Sequence, residues 1–184
     1  FNQKTGEWVF HAGPVFAEIV LADEINRASP KTQSALLEVM EEAQVTVDGV
    51  RRPAPQPFMV IATQNPVEQA GTYPLPEAQL DRFLMKTSIG YPSRSAMIDV
   101  LDGSASPDRS KNLKPLLSGK DIVAWAALAA GNHTDRAVLD YVAALAEATR
   151  EDESSLLGVS TRGAIGMVRC ARVWAAAQGR NFVL

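Results

Sequence analysis

Two short apolar runs, each ending in polar residues, constrain this chain most. Glu18 to Ala22 (EIVLA) leads into Asp23-Glu24, and Phe58 to Thr63 (FMVIAT) leads into Gln64-Asn65-Pro66. Apolar runs this short, bounded by turn signals, predict strands buried on both faces of a parallel sheet. Parallel strands need a crossover connection, and a helix is marked between them. Ser29 suits an N-cap and Pro30 the first helical position. Leu36, Leu37 and Met40 follow at helical spacing, to about Ala43. Val45-Thr46-Val47 and Val50-Arg51-Arg52 flank Asp48-Gly49, which predicts a hairpin on a two-residue turn. The prolines Pro53, Pro55 and Pro57 close it.

Other local signals complete the first half. Lys4-Thr5-Gly6 reads as a turn, Glu7 to Phe10 as a short strand, and Val67 to Pro76 as a loop. Glu77 to Phe83 is expected to form one or two helical turns, Leu84 to Ile89 a third strand, and Ser93 to cap a helix reaching about Leu101. Strands alternating with helices give an α/β fold with a parallel sheet. Beyond residue 103 the composition turns small and then Ala-rich. Ser118, Thr134 and Ser160 are read as caps of three helices, the last ending near Gln178 before Gly179. The expected organisation is an α/β unit over 1–102, a linker over 103–117 and a small all-helical unit over 118–184. Asn181 to Leu184 is the one strand-like tract in that second part.

Composition narrows the function classes. The 184 residues carry 18 Lys+Arg against 21 Asp+Glu, a net charge of −3, with 46% hydrophobic residues. That is enough apolar material for a core, without the basic field that nonspecific nucleic-acid binding needs. The single cysteine, Cys170, excludes an intrachain disulfide and fits a reducing, cytoplasmic setting. It falls among apolar helical positions and reads as core. No apolar run is long enough for a membrane-spanning helix. His11 and His133 fall in different halves, which argues against a histidine metal site. Trp125 and Trp174 read as helical core. Arg51 and Arg52 read as a solvated hairpin edge or a contact for a client or nucleic acid.

Chemistry gathers at the strand ends, where open α/β sheets bind ligands. Of two adjacent acids there, one can hold Mg²⁺ and the next can orient and deprotonate a water. Alternation along a strand would point them to opposite faces. The less favoured alternative for Asp23-Glu24 is a pair of capping acids before a helix. Asn65 can position a water or phosphate oxygen, or can be a turn residue before Pro66. Arg82, in Leu80-Asp81-Arg82-Phe83, can reach a neighbouring subunit's phosphate or can pair with Asp81 or Glu77. Arg162, in the first turn of the last helix, can sense nucleotide from a mobile helical unit or can be surface charge. A cation there opposes the helix dipole, which favours a functional role.

The order of these features matches an AAA+ ATPase core. The segments GPVFAEIVLADEINRASPKTQSALLEVMEE (13–42) and VIATQNPVEQAGTYPLPEAQLDRF (60–83) resemble the MoxR family of AAA+ ATPases, and the likeness runs from Phe10 to the C-terminus. The resemblance implies an α/β P-loop NTPase sheet with a small all-α lid. It implies Asp23 and Glu24 as the Walker B pair, with Asp23 on Mg²⁺ and Glu24 as catalytic base. It implies Asn65 as sensor 1, Arg82 as an arginine finger acting on ATP in the adjacent subunit, and Arg162 as sensor 2. The family's partners follow: a homo-oligomeric ring, expected to be a hexamer, a protein with a von Willebrand factor A domain, and a client undergoing maturation or metal-cofactor insertion. The hairpin at Val45 to Arg52 resembles the pre-sensor hairpin, and Glu7 to Phe10 the tail of a helix-2 insert.

One part of the pattern is missing. The phosphate-cradling GxxxxGK[ST] loop does not occur; the Gly119-Lys120 pair is followed by Asp121 and reads as a turn and helix start. In the family that loop lies upstream of the position of Phe1, so the chain is expected to begin inside a larger fold, and these residues alone to be inactive. Two other functions compete with a remodelling ATPase. One is a nucleic-acid motor related to replicative helicases, disfavoured by the acidic balance. The other is a non-catalytic interaction module.

Overall fold

The computed structural model describes residues 6, 9–65, 71–103 and 113–184. Its first half is built on β1 (Ile19–Ala22) and β4 (Met59–Ala62), which pair in parallel from Ile19 opposite Met59 to Ala22 opposite Ala62. The crossover contains α1 (Pro30–Glu42) and an antiparallel hairpin of β2 (Gln44–Val47) and β3 (Val50–Pro53). Ser29 caps α1 by accepting from Thr32 N, with Pro30 at the first position, as its sequence dictates. The hairpin turn has positive φ at both Asp48 (53°) and Gly49 (74°), the geometry an Asp-Gly pair tolerates.

After β4 come α2 (Glu77–Leu80) and α3 (Arg94–Leu101), the latter capped by Ser93. A compact core joins α1 and α2 to the ends of β1 and β4: Ile25, Leu37 and Leu75 are buried, with Ala22, Leu36, Met40, Ala62, Leu80 and Phe83 packed around them. The second half is a three-helix unit of α4 (Gly119–Ala130), α5 (Arg136–Glu151) and α6 (Thr161–Ala177), in which α6 packs on both partners. Gly119-Lys120 opens α4 behind a full capping box of Ser118 and Asp121.

Several expectations need correction. Leu84 to Ile89 forms no strand: a strand needs a neighbour for its ladder, and among the described residues none runs beside this segment. β1 and β4 are half-buried on the face carrying Val20 and Val60, while Ile19, Leu21, Met59 and Ile61 are exposed, since no described element covers that second face. Trp125 and Trp174 are exposed, because α4 and α6 meet through smaller residues such as Ala129 and Ala175. The cap of α5 is Asp135, whose carboxylate accepts from Ala137 N, in place of Thr134. Asn181 to Leu184 contributes a single bridge, Phe182 to His133. Val9 and Phe10 lie outside any strand; Lys4, Thr5, Glu7, Trp8, the first four residues (67–70) of the expected loop and the linker residues 104–112 lie outside the described residues. Arg52 stacks on Phe10, 3.7 Å from the ring centroid, and ties the hairpin to the segment before β1.

Candidate active site

The in-register pairing of β1 and β4 places Asp23 and Glu24 beside Thr63 and Asn65. Thr63 is the pivot. Its hydroxyl donates a short hydrogen bond to Asp23 Oδ1 and accepts from Glu24 N at 2.9 Å. Its backbone continues the ladder past the strands: Thr63 N donates to Ala22 O (3.1 Å) and Ile25 N to Thr63 O (2.9 Å). Asp23 is therefore oriented by a hydroxyl from the second strand, and one of its oxygens is fixed.

Glu24 does not continue the strand. It sits in the left-handed region (φ 48°, ψ 51°) and starts a short 3-10 turn over Ile25–Arg27. A non-glycine residue there costs about 1–3 kcal/mol and persists where its surroundings hold it. The backbone turns at Glu24, so strand alternation does not set the direction of its side chain. Glu24 Oε2 lies 2.9 Å from Arg27 Nε, and Asn65 Nδ2 donates to Glu24 Oε1 at 3.4 Å. Asn26 is buried and clasps the Asn65 backbone from both sides, donating to Asn65 O (3.2 Å) and accepting from Asn65 N (3.4 Å).

Arg82 and Arg162 meet elsewhere, on Glu41 of α1. Arg82 Nη1 lies 2.8 Å from Glu41 Oε2 and donates to Leu37 O at 3.1 Å. Arg162 Nη2 lies 2.7 Å from Glu41 Oε1, and its Nη1 lies 3.6 Å from Asp81 Oδ2. The local pairing expected for Arg82 does not form, since it meets neither Asp81 nor Glu77, whereas Arg162 is half-exposed surface charge paired with the first half. Sequence reasoning gathered Asp23, Glu24 and Asn65 correctly into one group. It missed Thr63, Asn26, Arg27 and Glu41. Thr63 alone had a legible signal, its place opposite Asp23 if the two runs pair in register.

Among the described residues no cluster of three or more His, Cys, Asp or Glu could hold a metal ion by itself. No helix among them is long and apolar enough to cross a membrane.

An α/β unit followed by a small helical unit is the fold of the AAA+ ATPases. The family model described as ATPase family associated with various cellular activities (AAA) matches residues 1–85, and that of the AAA lid domain matches residues 147–184. These matches and the named relatives support a MoxR-family AAA+ ATPase. It is 41% identical over its full length to Chaperone MoxR1 of Mycobacterium tuberculosis, covering 51% of that protein. It is 46% identical over its full length to a protein of Bacillus subtilis named YeaC, covering 58% of it. Protein MoxR of Paracoccus denitrificans is 32% identical over 94% of the chain, which covers 58% of that relative. The chain thus spans a little over half the length of these relatives. A crystal structure from Cytophaga hutchinsonii superposes over the whole chain with a TM-score of 0.87 at 40% identity, and the chain covers 58% of it. An MCM homologue of Methanopyrus kandleri shares the fold, with a TM-score of 0.59 at 19% identity over 90% of this chain and 33% of that one.

Proposed function

We propose that the protein carrying this chain is a Mg²⁺-dependent ATP hydrolase that remodels client proteins as a homo-oligomeric ring, a hexamer, in the cytoplasm. One observation carries this reading: Thr63 and Asn65 of one strand end hold the Asp23-Glu24 pair of the other, Thr63 through Asp23 Oδ1 and Glu24 N, and Asn65 through Glu24 Oε1. The lone oriented carboxylate of Asp23 fits Mg²⁺, which takes few protein ligands and completes its shell with water and phosphate oxygens. Bound there, the ion would neutralise phosphate charge. Glu24 would accept a proton from the attacking water, and Asn65 would position that water. Arg82 would act on the neighbouring subunit's ATP, and Arg162 would report nucleotide state from the lid.

The name of the Mycobacterium tuberculosis relative supports a chaperone role. A partner with a von Willebrand factor A domain, and clients in maturation or metal-cofactor insertion, follow from the family resemblance. We divide the chain into a core over 1–102, a linker over 103–117 and a lid over 118–184. These residues contain no GxxxxGK[ST] loop, so we expect tight ATP binding to require residues besides them. The test is Glu24→Gln in the full-length protein. Turnover is expected to fall at least about 100-fold, the upper range for a lost general base, with ATP affinity retained. Unchanged turnover would refute the role of Glu24.

A further inference from the structure

Among the described residues, Glu41 is the one carboxylate on which Arg82 and Arg162 both converge, one on each oxygen: Arg82 at 2.8 Å on Oε2 and Arg162 at 2.7 Å on Oε1. It lies in the last turn of α1, in the half that carries Asp23 and Glu24. Arg162 belongs to α6 of the lid, so this one side chain ties lid to core. Asp81, beside Arg82, completes the junction. Its carboxylate accepts from Ser160 Oγ at 2.7 and 2.9 Å, and Ser160 is itself the N-cap of α6, accepting from Gly163 N at 2.9 Å. The start of the lid helix is thus bound to the core through its cap and its first arginine together. Two guanidinium groups and two carboxylates balance in charge. The side chains of Arg82 (32% exposed), Arg162 (46%) and Glu41 (45%) stay open to solvent, so a phosphate can approach the arginines while Glu41 still holds them.

We propose that Glu41 is a positioning residue for nucleotide hydrolysis: its shared carboxylate preorganises Arg82 and Arg162 and makes the docking of the lid depend on the same bonds. This rests on the reading of the two arginines as phosphate-facing groups. Transition-state stabilisation depends on donors held in place before the reaction. Loss of an outer partner that orients a functional group costs about 10–100-fold in activity. A carboxylate between two arginines also screens their mutual repulsion, and exposed ion pairs are weakened by salt.

The test uses Glu41→Gln in the full-length protein, with two readouts. The first is amide hydrogen exchange over residues 160–166 without nucleotide. In the natural protein, 0.5 M salt should raise exchange. In Glu41→Gln, exchange should already be raised at low salt, and added salt should change it little. A packing role alone would show no such salt dependence. The second is ATP turnover, expected to fall about tenfold, at the low end of the outer-partner range. Natural exchange in Glu41→Gln overturns the proposal. So does natural turnover in Glu41→Gln when Arg82→Ala and Arg162→Ala are impaired. If those two arginine variants turn over ATP normally, the reading of the arginines fails, and the proposal falls with it for that separate reason.

Discussion

Replacing Gln33 by leucine should destabilise the protein by about 2 kcal/mol, and the figure follows from what its side chain holds. Gln33 is 3% exposed, inside the first turns of α1. Its amide donates to Ile25 O at 3.1 Å and to Tyr73 O at 2.8 Å. It therefore pins the turn that follows Glu24 to the segment that follows β4. Leucine fills nearly the same space but donates nothing. Ile25 O keeps its bond from Ala28 N at 3.1 Å, so only a net hydrogen bond is lost there, about 1 kcal/mol. Tyr73 O loses its donor in a partly buried setting, about 2 kcal/mol within the range for an unsatisfied acceptor. The added apolar burial returns about 1 kcal/mol. With a urea slope of about 2 kcal/mol/M, the midpoint should fall by about 1 M, with the slope unchanged. A shift below about 0.2 M would show that the two carbonyls find other donors and that Gln33 does not hold the turn.

Thr63→Val removes the hydroxyl that orients Asp23 and caps Glu24 N while keeping the side chain's shape; ATP turnover in the full-length protein should fall about tenfold, as for other outer-partner losses, with Thr63→Ser near natural. Gly158→Ala should cost about 1–3 kcal/mol in urea unfolding, because the added Cβ would lie 2.5 Å from Arg150 Cα and 2.7 Å from Arg150 N, both backbone atoms that cannot swing aside. The Asp121 carboxyl is held below its ordinary value of 3.8, first by the hydrogen bond from the Ser118 side chain and then by that from its backbone. A lowered folded value means that the capping box stabilises α4 above pH 3.8 and loses its contribution as pH falls through the lowered value. Asp121→Asn should therefore be less stable than the natural protein at pH 7, with the difference closing in acid, as measured by urea unfolding across that range.

What was legible in the sequence was local. Ser29-Pro30, Asp48-Gly49, Ser93, Ser118 and Ser160 each act on backbone atoms within three or four residues, and each does so in the structure. Coverage was not legible. Leu84 to Ile89 has the pattern of a strand, but a ladder needs a neighbour, and a pattern does not supply one. The same holds for the outer face of β1 and β4. Asp135 displaced Thr134 as a cap because both types can accept from the helix start, and only the backbone geometry chooses between them.

The site lies between these extremes. Its bonds join residues 39 to 41 apart: Glu24 to Thr63, Asp23 to Thr63, Asn26 to Asn65 and Glu24 to Asn65. That separation is the register itself, since Ile19 pairs with Met59 and Ala22 with Ala62, each 40 apart. Once the two runs are read as adjacent parallel strands and aligned from their first residues, Glu18 and Phe58, the offset of 40 puts Asp23 opposite Thr63 and points to the hydroxyl. No comparable rule finds Glu41. Its partners Arg82 and Arg162 come from the turn after α2 and from α6, 41 and 121 residues away, and their meeting on one carboxylate depends on how the helices pack. A sheet transmits position along the chain by its hydrogen-bond register, whereas a helix-to-helix junction depends on packing angles that spacing does not encode. Strand-end chemistry can therefore be read from paired runs, while the residues that couple a lid to its core have to be found in the fold.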